Sequence, residues 1–162
     1  MRINKPINSI NMKPKKILIA LDYDPTAQKV SEAGYALATA LNAEVTLLHV
    51  VAQVVHYSSP DMAYLDISAI SLNSVEALTL AAQNFLNKTK RHLANPSIQT
   101  IIKEGDYADT ILEVATEMQA TTIVMGSHSH RWLEGVLMGS VTQEVLRNSI
   151  IPLYIIPTKK RA

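Results

Sequence analysis

The sequence predicts an α/β domain: a five-stranded parallel sheet with helices on both faces. Three observations carry that expectation. Short apolar runs rich in β-branched residues recur along the chain, as suits strands covered on both faces. Between them lie segments whose apolar residues repeat at helical spacing. Strand and helix alternate from beginning to end, which is the order of right-handed crossovers rather than of hairpins.

The first strand is "KILIAL", Lys16 to Leu21, and "DYDPT" stops it. Thr26 is placed to cap a helix reaching about Leu41, apolar at Val30, Ala33, Leu37 and Leu41, with Asn42 as its end. "EVTLLHVV", Glu44 to Val51, is a second buried strand. From Ala52 to about Ile70 there are Ser58, Ser59 and Pro60 but no firm period, which predicts a long, partly mobile loop. The next helix is expected over Leu72 to Leu93, apolar at Val75, Leu78, Ala82, Phe85 and Leu86. "SIQTIIKEG", Ser97 to Gly105, is less apolar and suits the sheet edge. Asp106 to Met118 follows as a helix, "TTIVMG" as the fourth strand, and Gly139 to Asn148 as the last helix. "PLYIIP" closes the sheet, bracketed by Pro152 and Pro157. Sheets of this kind bind ligands beyond the carboxyl ends of their strands, here after the first and fourth.

At 162 residues and 48% hydrophobic content the chain suits one domain with one sizeable core. That domain is expected over residues 15–158, with a flexible extension over 1–14 and a basic tail over 159–162. Fifteen basic and fourteen acidic residues leave a formal charge of +1, so no overall field favours nucleic acid or an anionic membrane, and neither partner is expected. The absence of cysteine removes disulfides, thiolate zinc sites and thiol nucleophiles, and fits a reducing compartment. The polar opening "MRINKPINSINMK" lacks the apolar stretch of a secretory signal, and no apolar run is long enough to span a bilayer. A cytoplasmic protein is expected.

Chemistry gathers in "VMGSHSHRWLEGVLMGSV", Val124 to Val141. Gly126 and Gly139 let backbone amides approach a ligand, and Ser140 and Thr142 offer hydroxyls at a helix start, where the macrodipole amounts to roughly +0.5 charge. This is phosphate chemistry without a lysine. The same residues also suit a plain strand end and helix cap, and spacing alone leaves both open. His128 and His130, two apart, point to opposite sides of an extended loop, so no metal site is expected. Arg131 and Trp132 lack the wider basic surface of a nucleic-acid interface. No P-loop, no His-x-Gly-His and no Ser-Gly-Gly-x-Asp-Ser loop is present, and no base and nucleophile pair stands out, so no catalytic residue is assigned.

Taken in order, "KKILIALD", "VTLLHV", "VMGSH", "LMGSVTQEVL" and "IPLYIIP" resemble the universal stress protein family from Lys15 through Pro157. Nucleotide-binding members of that family carry glycine, two residues, glycine, nine residues, then glycine followed by serine or threonine. Here Gly126, Ser127, His128 and Ser129 are followed by nine residues, Gly139 and Ser140, so Ser129 stands where the second glycine is expected. The resemblance implies an adenine nucleotide alpha hydrolase-like (Rossmann-like) fold with strand order 3-2-1-4-5. It also implies a homodimer paired through the C-terminal strand, and ATP or AMP bound at the carboxyl edge, ATP with Mg²⁺.

Carried over by position, Asp22 accepts from adenine or ribose with Ala20 beside the base, and Val50 contacts adenine. Met125, Gly126, His128 and Ser129 surround ribose and phosphates, while Gly139, Ser140, Val141 and Thr142 hold the phosphate tail. His49, pointing to the other face, is read as structural. A stress-response regulatory or signalling role is implied, in which bound nucleotide orders the Ala52 to Ile70 loop and changes partner recognition. Two other readings stay open: a nucleotide-free interaction module, which Ser129 favours, and a slow ATP hydrolase or autophosphorylating protein acting through Ser140 and Thr142. Because the segment before Met12 has no apolar period, removing residues 1–11 is expected to leave the melting temperature nearly unchanged. A large drop would mean that the segment packs on the domain.

Overall fold

Nine elements alternate along the chain: β1 (Lys16–Ala20), α1 (Ala27–Leu41), β2 (Glu44–Ala52), α2 (Ile67–His92), β3 (Gln99–Gly105), α3 (Tyr107–Glu117), β4 (Thr122–Gly126), α4 (Ser140–Asn148) and β5 (Leu153–Ile156). The computed structural model describes residues 14–52, 67–127 and 138–158, and of residues 67–74 the backbone alone. The strands form one sheet in the order β3-β2-β1-β4-β5, with every neighbouring pair parallel. This is the expected order, with the less apolar β3 at one edge and β5 at the other. The extension before residue 14 and the tail over 159–162 lie outside the described residues.

The side-chain alternation of β1 divides the core in two. Ile17, Ile19 and Leu21 pack with Val30 and Ala38 of α1, Leu86 of α2 and the adjoining Leu93 on one face. Leu18 packs on the other face with Leu48 and Ile123, against Ala108, Ile111, Val114 and Ala115 of α3 and Val145 of α4. The chain therefore leaves β1 toward one face and β4 toward the opposite one, which puts the topological switch point between these two neighbours. Among the described residues no helix is long and apolar enough to cross a membrane.

Local chemistry sets most boundaries as expected. Asn42 ends α1 in a left-handed conformation (φ 50°, ψ 50°) and its amide donates to Ala38 and Thr39, a role asparagine fills better than most residues. Asp106 caps α3 by accepting from the amides of Ala108 and Asp109. Two expectations need correction. Thr26 does not cap α1 with its side chain; its hydroxyl donates to Asp24 Oδ1 at 2.6 Å, and its amide donates to the same oxygen. The stronger acceptor two residues upstream takes up the threonine itself, so no side chain caps the first-turn amides of α1. The expected loop over Ala52 to Ile70 is also too long at its end, because α2 is already helical from Ile67. Serines at 68, 71 and 74 hid the helical period there; residues 53–66 lie outside the described residues.

α1 and α2 lie side by side, and His92 Nε2 meets Glu32 Oε1 at 2.6 Å between them. Hydrogen bonds from Gln28 and His92 hold the Glu32 carboxyl below its ordinary range. Closer to the switch point, α1 presses Gly34 onto the sheet. A Cβ there would stand 2.7 Å from Ile19 Cδ1 and 3.0 Å from Val124 Cγ1, and both of those side chains are fully buried. Overpacking of this kind costs about 1–3 kcal/mol. Gly34→Val is therefore expected to lower the urea-unfolding stability by about 2 kcal/mol, with Gly34→Ala less harmful because better helix propensity offsets part of the clash. An unchanged midpoint for the valine variant would show that α1 can lift off the sheet there.

Candidate functional site

Parallel strands force every return helix to begin near the carboxyl edge of the sheet, and the amides of a first helical turn have no intrahelical partner. Among the described residues these starts are met in different ways. At α1 no side chain bonds the first-turn amides; Asp24 Oδ1 accepts from the N-cap Thr26, and the Asp24 carbonyl accepts from the amide of Ala27 at 3.2 Å. At α3, Asp106 Oδ1 accepts from Ala108 at 3.0 Å and from Asp109 at 3.1 Å. α4 differs from α3: Gly139 occupies its N-cap and no side chain bonds there. The first intrahelical bond runs from Gln143 to the Gly139 carbonyl at 2.9 Å, so the amides of Ser140, Val141 and Thr142 have no partner within the helix.

Gly139 has φ −66° and ψ 154°, a conformation open to any residue. Glycine is not needed there for handedness; what it contributes is the lack of a side chain over the three amides. Two bonds fix this turn against the sheet. The Gly139 amide donates to the Ser127 carbonyl at 3.0 Å, and the buried Thr142 hydroxyl donates to the Gly126 carbonyl at 2.9 Å. The Thr142 hydroxyl is thus engaged in structure, which leaves the exposed Ser140 as the side-chain hydroxyl at this helix start.

Ala20, Val50, Met125 and Val141 belong to one apolar cluster on the α3 and α4 face. The structure thereby brings together residues from β1, β2, β4 and α4 that are far apart in the chain. Asp22 follows β1 in an exposed turn, where its Oδ1 accepts from the Tyr23 amide at 2.8 Å. His49 turns away from this face: its Nδ1 lies 2.8 Å from the Leu21 carbonyl, and its ring packs edge-on against Phe85 of α2. His128 and Ser129 lie outside the described residues. Among the described residues no three histidines or carboxylates gather as metal ligands would.

Two residues at this edge escaped the sequence reading. Ser127 was counted only as a spacer in the glycine pattern, yet its amide, carbonyl and hydroxyl are all engaged. Thr158 lies one residue beyond the last expected strand, where nothing in the sequence announces burial, and it is 4% exposed.

The sequence pattern of the universal stress protein family matches residues 13–157. Universal stress protein MJ0577 of Methanocaldococcus jannaschii is 31% identical over 156 residues, covering 90% of this chain and 96% of that protein. The solved structure of MJ0577 superposes with a TM-score of 0.74 at 28% identity, covering 91% of this chain and 98% of that one. UspA from Lactobacillus plantarum shares the fold with a TM-score of 0.76 at 21% identity over 90% of this chain and 99% of its own. A universal stress protein solved in complex with cAMP does so with a TM-score of 0.64 at 19% identity, over 91% and 100%. With its switch-point sheet, its uncapped α4 and a family match over nearly its whole length, the chain belongs to the universal stress protein family.

Proposed function

We propose that this protein binds an adenine nucleotide, ATP or AMP, at the carboxyl edge between β1 and β4, and acts as a cytoplasmic stress-response regulatory or signalling dimer. The observation that carries the reading is the start of α4. It is uncapped, it sits at the switch point, and Gly126, Gly139 and Ser140 stand at the family's motif spacing. A polyphosphate would supply the acceptors that Asp106 supplies to α3. Ala20 and Val50 would lie against the base with Met125 beside the ribose, and Asp22 would accept from adenine or ribose. Phosphates would rest on the amides of Ser140, Val141 and Thr142 and on the Ser140 hydroxyl, with Mg²⁺ entering alongside a triphosphate. His128 and Ser129 would complete the ribose and phosphate surround. That a universal stress protein of this fold holds cAMP supports the choice of an adenine ligand.

A second reading, a nucleotide-free interaction module, is favoured by Ser129 in place of the family's glycine. A serine held in a left-handed conformation costs about 1–2 kcal/mol, which is roughly tenfold in affinity. Calorimetry separates the two readings. ATP or AMP should bind wild type clearly better than Asp22→Ala or Gly139→Val, and Ser129→Gly should bind more tightly than wild type. Equal binding by all would mean the site is misplaced, and no binding by any would favour the interaction module.

The dimer rests on β5. Among the described residues this strand pairs with β4 alone, and exposed apolar groups lie in it and just before it in the chain: Tyr154 at 43% and Ile150 at 98% exposure. An edge of this kind invites pairing, and a two-fold antiparallel contact between two copies of β5 would cover it in a closed assembly. In the β4–β5 register the Tyr154 backbone faces β4, and the outward backbone groups are those of Leu153 and Ile155; Ile155→Pro therefore removes a backbone donor from that edge and should shift the protein toward monomer or aggregate. Sedimentation at micromolar concentration reads the result, and a dimer indifferent to the change would place the interface elsewhere.

A further inference from the structure

Three parts of the chain meet at Ser127. Its amide donates to the Ile156 carbonyl at 2.9 Å, which carries the β4–β5 pairing one step past the Gly126 and Ile156 register pair. Its carbonyl accepts from the Gly139 amide at 3.0 Å, at the residue that opens α4. Its hydroxyl accepts from the Thr158 amide at 3.1 Å and lies 3.4 Å from the Thr158 hydroxyl. Just before Thr158, the Pro157 carbonyl accepts from Lys29 of α1. Thr158 is buried, so its amide has to be answered within the protein.

We propose that Ser127 is a positioning residue: clamped by the Thr158 amide, it sets where the first amides of α4 stand and so ties the C-terminal strand to the phosphate end of the site. The physical chain has two links. The Thr158 amide restrains the Ser127 side chain, and with it the peptide unit whose carbonyl holds Gly139. Losing the first link leaves a buried donor unpaired and frees the turn to settle elsewhere. Any pose that α4 gives up must then be restored by the ligand, at a cost in affinity. Because β5 is also the proposed dimer edge, strand pairing and nucleotide binding would each bias the other by the same factor.

The functional half of this inference rests on the nucleotide reading; the positioning half does not, and the test separates them. Residue-resolved hydrogen exchange is measured on the ligand-free, full-length protein. In Ser127→Ala the Gly139 and Gln143 amides should exchange roughly three- to tenfold faster, the range expected for one lost neutral hydrogen bond, while amides inside α3 stay as in wild type. Ser127→Thr, which keeps a hydroxyl, should restore slow exchange. Thr158→Pro, which lacks the amide, should reproduce the alanine effect, and the double variant should be no worse than either single one.

Unchanged Gly139 exchange, a rise spread evenly over all core amides, or additive effects would each overturn the positioning role. Calorimetry with AMP completes the test, with Ser127→Ala expected to bind roughly three- to tenfold more weakly. If wild type binds AMP and the alanine variant binds equally well, the tie to the site is overturned. If wild type ignores AMP and ATP while Gly139 exchange responds as expected, the nucleotide reading fails and the positioning role stands.

Discussion

Parallel hydrogen bonding on both sides of β1 is the constraint on which the rest of this domain depends. Ile17, Leu18 and Ile19 are fully buried, and β1 is in register with β2 from Lys16 to Ala20 and with β4 from Ile17 to Ile19. Bonds at the amino end lock this centre: the Glu44 amide donates to Lys15 and the Thr121 amide to Lys16, both at 2.8 Å. At the other end the Leu21 amide donates to Leu48 at 2.9 Å. Parallel neighbours cannot be joined by tight hairpins, so each strand returns through a helix, and every helix starts at the same edge. The gathering of helix starts at one edge is therefore a consequence of strand pairing and needs no separate device.

That edge is electrically divided. Each helix start presents roughly half a positive charge; at α3 a carboxylate of the chain bonds its amides, and Asp24 stands just ahead of α1, bonded to its N-cap Thr26. Beside β1 the edge therefore carries acid, with Asp22 and Asp24 in one turn, whereas beside β4 it carries unanswered amides. An acidic end and an amide end, with the apolar cluster of Ala20, Val50 and Met125 nearby, complement a ligand with donor groups on a flat apolar head and anionic groups on its tail. A nucleoside phosphate has this distribution. A simple dicarboxylate or a polyamine does not, because the one lacks donors for Asp22 and the other lacks acceptors for α4.

The sheet was legible in the sequence because buried parallel strands are continuous apolar runs, and all five lie within a residue or two of where "KILIAL", "EVTLLHVV", "SIQTIIKEG", "TTIVMG" and "PLYIIP" put them. Helix starts were harder. At α1 both Asp24 and Thr26 are acceptable caps, and only the three-dimensional turn shows that the carboxylate holds the threonine rather than the reverse. α2 begins earlier than its apolar period suggests, since serine interrupts helices in a periodicity count without stopping them in space. At the site, spacing alone left a plain strand end and helix cap open, and it was the family resemblance that picked out the glycine frame together with Ala20, Val50 and Met125. The link from Thr158 to Ser127 spans 31 residues and leaves no local trace, because neither serine nor threonine carries a pattern that names its partner.

The fragility of the site lies in α4. Nine residues are too few to stay helical alone in water, and only Thr142 and Val145 of this helix are buried. Its placement thus rests on Val145 in the core, on the Thr142 bond to Gly126, and on the Gly139 bond to Ser127. Val145 anchors the second turn and the other two anchor the first, where the amides are. A carboxylate cap would have steadied this start as it does α3, but it would also have filled the acceptor positions that a phosphate needs. Leaving the cap to glycine keeps the amides open and transfers the task of holding the turn to the strands behind it. The last strand and the residue after it are consequently part of the site's architecture, although neither Ile156 nor Thr158 belongs to the glycine pattern.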